Sequence, residues 1–139
     1  MHIADRLLVA LDRISAPTTV RAHCDLPCGV YDPAQARIEA ESVKNCITKF
    51  NESSDDVFRT RATFIKEERA DLVKHHLWVL WTDYFKPEHL EAHPQLHDLF
   101  WKATKTAGEA KKSNDPAVAD RLLDSIKEID AIFWETKKA

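Results

Sequence analysis

Four stretches of the chain place apolar residues three and four positions apart. The first set is Ala36, Ala40, Val43, Ile47 and Phe50. The second is Phe58, Ala62, Ile65, Leu72 and Val79, with Arg69 and His76 on the same line. The third is Leu96, Leu99, Phe100, Ala103 and Ala107, and the fourth is Ala119, Leu122, Ile126, Ile129 and Phe133. A 3.6-residue period puts each set on one side of an α-helix. No stretch alternates with period two, so the pattern predicts an all-α fold. Stop and start signals divide the helices. Asp32-Pro33 reads as an N-cap followed by proline at the first helical position, with Gln35 as capping-box partner. "NESSDD" breaks the first helix and offers serine caps to the second. Pro87 ends the second, "PEHLEAHP" is a turn with room for one helical turn, and "KKSNDP" closes the third and opens the fourth, with Asn114 or Asp115 as cap before Pro116.

Short connections force consecutive helices to run antiparallel. The expected architecture over residues 32–139 is therefore an antiparallel up-down four-helix bundle. Ahead of it lie a non-helical hook, residues 23–31, and a leader, residues 1–22. In the leader Leu7, Leu8, Leu11 and Ile14 share one helical face, and Pro17 ends it.

Composition narrows the function. The chain has 139 residues, 44% of them apolar and 31% charged, with only two glycines. That suits one helical domain with a full core. A formal charge of −3 provides no broad basic face for nucleic acid. No apolar run approaches the ~20 residues of a membrane span. The leader's apolar stretch, Leu7 to Leu11, is bracketed by Asp5-Arg6 and Asp12-Arg13 and is too short for an export signal. The expected location is cytoplasmic. Three cysteines without an export signal argue against a disulfide scaffold.

Two of those cysteines carry the candidate chemistry. In His23-Cys24-Asp25-Leu26-Pro27-Cys28 an imidazole and two thiols fall within six residues. Pro27 and Gly29 disfavour a helix there, so the segment is expected to bend into a tight loop. Thiolates are strong donors to late transition metals. C-x3-C spacing alone leaves metal binding and a plain unreactive pair equally open. The second ligand pair of a structural zinc site is missing. Were the chain cut between Ala22 and His23, the new terminus would supply an α-amine and an imidazole. The amine, the amide nitrogen of Cys24 and two thiolates make a square plane suited to nickel(II) or copper(II). The α-amine loses its proton near pH ~7.7–8.0, well below a lysine.

"HCDLPCGVYDPAQARIEAESVK", with "RATFIKEERADLVKHH", "LWTDYFKPEHLE" and "IFWETKKA", resembles the nickel-dependent superoxide dismutases across nearly all of the chain after residue 22. The resemblance implies one nickel ion per subunit, held by the α-amine and imidazole of His23, the backbone nitrogen of Cys24, and the thiolates of Cys24 and Cys28. It implies superoxide as substrate, a propeptide removed by a maturation peptidase, a homohexamer, and Tyr31 at the mouth of the site, helping to admit only a small anion. His23 and Tyr31 are then the candidate catalytic residues. Anionic sulfur and amide donors suit the task, because they make trivalent nickel attainable. Trimming removes Arg6, Arg13, Arg21, Asp5 and Asp12, so the charge moves from −3 to −4 and any attraction for superoxide must be local.

Arg69 lies on an apolar seam, and a buried guanidinium needs a carboxylate. Glu39, one turn after the hook, is the candidate partner. The resemblance implies that this pair steers the ligand histidine, and Asp25 is expected to organise the loop. Tyr84 and Lys86 are expected near the hook. His76 reads as a core histidine, and His89, His93 and His97 as a solvated turn interrupted by Pro94. Cys46 reads as a buried spare thiol, and the four tryptophans as core or subunit-interface residues. The competing function is a non-catalytic helical protein that binds a soft metal or partner helices and needs no cut.

Overall fold

The computed structural model describes residues 29–138 of the chain. The leader, and with it the candidate ligands His23, Cys24 and Cys28 and the loop residue Asp25, lies outside the described residues. Five helices follow in order: α1 (Ala34–Glu52), α2 (Asp56–Val79), α3 (Pro87–Ala92), α4 (Leu96–Lys112) and α5 (Pro116–Lys138). A π-helical turn, Leu80–Tyr84, extends α2. The long helices pack as α1 on α2, α2 on α4, α4 on α5 and α1 on α5, a closed four-helix bundle. No strand occurs among the described residues.

The seams of α1, α4 and α5 are buried as their periodicity predicts, with Ala40, Val43, Ile47, Ala103, Leu122, Ile129 and Phe133 fully covered. In α2 the predicted line is rotated. Phe58 and Ile65 are more than 40% exposed, and the buried row is Ala62, Lys66, Ala70, Val73 and Leu77. The reason is chemical. Lys66 is the core-facing residue, and a lysine falls outside any apolar period. Its four-carbon stem fills core space.

Two start signals differ from expectation by small steps. Asp32 Oδ1 accepts from the Ala34 amide at 2.8 Å, and regular helix begins at Ala34, one residue after Pro33. At α2 the cap is Asp55, whose carboxylate accepts from the Val57 and Phe58 amides; Ser53 instead accepts from the Asp55 amide. Asp115 caps α5 through the Ala117 amide. The expected turn after Pro87 holds the short helix α3, six residues where one helical turn was expected. Of the four tryptophans, expected in the core or at a subunit interface, Trp78, Trp101 and Trp134 are each at least 44% exposed, and Trp81 is half-buried against the core.

Candidate metal centre

The described chain enters the bundle at Gly29, whose φ of +71° favours glycine. Gly29's carbonyl accepts from Lys137 Nζ at 3.4 Å, which ties the base of the hook to the end of α5. Two residues on, Tyr31 is half-buried against the core, its ring 5.7 Å from that of Tyr84. Pro33 is buried behind it.

Tyr84 reaches this position because α2 changes pitch. The Phe85 amide donates to the Leu80 carbonyl at 3.0 Å, a five-residue closure that widens the last turn and re-aims its side chains. The Tyr84 ring then meets Phe85, Phe133 and His89. Its hydroxyl shares a 2.8 Å hydrogen bond with Thr136 Oγ1, and Lys137 Nζ stands 5.2 Å from the ring centroid. The base of the hook thus rests on an apolar stack with hydroxyls and an ammonium at its rim. Sequence reasoning placed Tyr84 here but missed Lys137, because nothing in "ETKKA" tells which lysine turns inward. Lys86, also expected near the hook, is exposed and hydrogen-bonds through its backbone with His89 Nδ1.

Glu39 and Arg69 are brought together as the sequence suggested. Arg69 Nη1 donates to Glu39 Oε2 at 3.3 Å, across the α1–α2 interface. Glu39's side chain is only 16% exposed, so the pair is partly shielded. Glu68 lies 3.8 Å from the other guanidinium nitrogen.

The remaining candidates separate. His76 is half-buried, not core, and its ring meets that of His75. His89 stacks on Tyr84, His93 faces Glu135 at 3.7 Å, and His97 packs edge-on against Trp81, so the three form no ladder. Among the described residues no three of His, Cys, Asp or Glu converge on a metal position. Cys46 is a free, half-buried thiol. Burial pushes its pKa up, and Arg69, Lys66 and Lys49 pull the other way.

The candidate donors of residues 23–28 lie outside the described residues, and the fit to a metal rests on their chemistry. Two thiols, an imidazole and, after a cut, an amine and an amide make a soft, electron-rich set that fits nickel and disfavours oxygen-seeking cations.

The chain matches a protein-family model described as nickel-containing superoxide dismutase over residues 18–137. It is 61% identical to the nickel superoxide dismutases of Streptomyces coelicolor and Streptomyces seoulensis, covering 93% of this chain and 99% of each relative. A native nickel superoxide dismutase structure superposes with a TM-score of 0.82 at 62% identity, covering 84% of this chain and 100% of that one. Solved variants of such enzymes are altered at a histidine numbered first, an aspartate numbered third and a tyrosine numbered ninth.

Proposed function

The chain belongs to the nickel-containing superoxide dismutase family, and we propose that its active centre is completed by removing residues 1–22, so that His23 becomes the amino terminus. The activity is the conversion of two superoxide ions and two protons into dioxygen and hydrogen peroxide, and the cofactor is nickel. The non-catalytic alternative loses its ground, since the relatives matched end to end are dismutases.

One coincidence carries the trimming reading. Residues 23–139 make up 84% of the chain, the share that the native solved enzyme covers when matched over its entire length. The spacing of their altered histidine, aspartate and tyrosine is also that of His23, Asp25 and Tyr31.

In this reading His23, Cys24 and Cys28 hold the metal, which when bound supplies one-electron exchange between its divalent and trivalent states. The protein's residues do the rest. Tyr31 and Tyr84 wall the approach with rings and leave room for a small anion only. Restricted access also shields the thiolates from oxidation by peroxide. Asp25 organises the loop. Glu39, held by Arg69, receives the imidazole N–H of His23 and fixes its direction, as carboxylates do for ligating histidines. Lys137 puts a positive charge beside the Gly29 carbonyl, where the global charge supplies no attraction.

The assembly is read as a homohexamer in the cytoplasm. Phe58, Phe64 and Ile65 on α2 and Ile38 on α1 support an interface, since they expose large apolar surface that a lone bundle does not cover. Light scattering of the trimmed protein measures the subunit number.

The test compares residues 23–139, made with a free His23 and loaded with nickel, with the full-length chain loaded identically. Superoxide loss is expected to be at least ~100-fold faster in the trimmed form, because an amide cannot replace the amine as ligand. Equal activity of the uncut chain overturns the ligand scheme.

A further inference from the structure

A groove unused by the dismutase chemistry runs between α2 and α4. It holds about 970 Å³, with Trp78, Trp81, Trp101 and Phe100 toward one end and Lys74 and Lys105 farther along. Trp78 and Trp101 leave 51% and 57% of their surface uncovered. Gly108 lines it too, and Lys74 Nζ lies 3.2 Å from where a side chain there would begin. Among the described residues neither Lys74 nor Lys105 has a carboxylate partner, and Lys105 stands over the Trp101 ring instead. Lys111, Lys112, Glu67 and Glu109 complete its charged border, so lysines outnumber carboxylates four to two. A concave, indole-lined surface with a net positive border fits a helix with an apolar stripe and an acidic edge.

We propose that the occupant is the chain's own leader, residues 3–14, docked as a helix in this groove until the leader is removed. Ile3, Leu7, Leu8, Leu11 and Ile14 fall on one helical face. Asp5 and Asp12 follow one border of that face, and Arg6 and Arg13 the other. The acids are the partners Lys74 and Lys105 lack. Lengths agree: twelve helical residues span about 18 Å, and the α2 wall from Glu67 to Trp78 spans about 16 Å.

The tether also reaches. The described chain begins at Gly29, which Lys137 holds beside Tyr84. Tyr84 touches Phe85, Phe85 touches Phe100, and Phe100 touches Trp81, so an unbroken run of rings leads from the base of the hook to the groove's tryptophan end. The fourteen residues between Ile14 and Gly29 extend to about 46 Å, well beyond the groove's length. Docking within one chain gains a high effective concentration that a cut abolishes. The groove is thus covered in the uncut chain and uncovered in the trimmed one. That release rests on the cut proposed at Ala22–His23; the docking itself does not.

The experiment uses the full-length chain with a benzophenone amino acid in place of Leu11. Illumination is expected to join position 11 to peptides containing residues 78–81 or 97–108 of the same molecule. Adducts elsewhere, or between copies distinguished by isotope label, overturn the proposal, the second result giving the groove to a neighbouring copy. Trp101→Glu, at an exposed position, is expected to lower the adduct yield at least fivefold, with circular dichroism confirming the fold; an unchanged yield overturns the proposal. Because adducts are read in the uncut chain, their absence leaves the trimming scheme standing. The intact mass of the active enzyme tests the cut separately.

Discussion

The two ends of the bundle are fastened by different chemistry. At the hook end Tyr84 gathers Tyr31, Phe85, His89 and Phe133, with centroids 4.4–5.7 Å away; its hydroxyl bonds Thr136 Oγ1, and Lys137 stands beside the ring. At the far end Lys66, 2% exposed, donates to the Ser113 carbonyl at 2.6 Å and to Asn114 Oδ1 at 2.8 Å, while Asn51 Nδ2 donates to the Asn114 carbonyl at 2.9 Å. Many weak contacts share the load around Tyr84, so the loss of one atom is spread over several neighbours. The far end concentrates its polar satisfaction in one ammonium that ties α2 to the end of α4. The end proposed to carry the metal is therefore built to keep a surface in place, and the far end to keep the fold closed.

The sharpest way to break that contrast is Lys66→Met. Methionine fills the stem's space but leaves the Ser113 carbonyl and Asn114 Oδ1 without their donor. The cost is expected to be about 2–3 kcal/mol, on the scale of orphaned buried polar groups. That lowers the melting temperature by roughly 10 °C for a domain of this size. Activity per nickel-loaded molecule should stay within about twofold. A variant that keeps its melting temperature but loses activity inverts the assignment of the two ends.

How far the sequence disclosed each end follows the same division. Helix existence, three of four seams and the Asp115 cap were legible because they depend on local spacing. The α2 register was not, because its buried face runs through Lys66, whose partners lie 47 and 48 positions away. The π-helical turn was illegible too: "LWTDY" contains neither glycine nor proline to mark it. Arg69 with Glu39 could be paired from sequence because the family resemblance added to the expectation that a guanidinium on an apolar seam demands an acid, although Arg69 lies beside the buried row and is one-third exposed. Lys137, at the chain's end, makes no such demand.

The next perturbation moves to the side of the hook end. Glu39→Gln keeps the shape but removes the charge that holds Arg69 and, in the proposed scheme, steers His23. Activity is expected to fall about tenfold, equivalent to ~1.4 kcal/mol of barrier. Stability should change by less than about 1 kcal/mol, because Arg69 is one-third exposed and retains Glu68 nearby. Pulse radiolysis gives the first quantity and urea unfolding the second. Equal losses in both would make the pair an ordinary interhelical tie.

Smaller still is Tyr84→Phe. The ring stack survives and the Thr136 bond does not; Thr136 Oγ1 keeps its 2.7 Å bond to the Phe133 carbonyl. A loss of about 1 kcal/mol is expected from unfolding curves. A loss near that of Lys66→Met would mean that the hook end also depends on a single polar contact.

The smallest effect separates the ends by pH. Burial lowers the pKa of Lys66, with Glu67 and Cys46 opposing. Its folded pKa then lies below the unfolded value of about 10.4. Between those two values the unfolded chain binds more protons than the folded one, so stability rises with pH across that window and is flat beneath it. A neutral amine still has two hydrogens for Ser113 and Asn114, which is why deprotonation does not open the contact. Lys102 and Lys111 are shifted upward by hydrogen bonds to Asp98 and Asp71. Their contribution is lost only as pH climbs past the ordinary lysine value, outside the window that belongs to Lys66. Both are common to the parent and to Lys66→Met and cancel in the difference; Cys46, whose pKa Lys66 pulls down, does not, so both proteins carry Cys46→Ser. Urea midpoints of the two proteins at pH 8, 9 and 10 should therefore diverge, the parent gaining on the variant as pH rises. Parallel midpoints would mean that water reaches the ammonium, and the far end would then be as solvated as the rim of the hook.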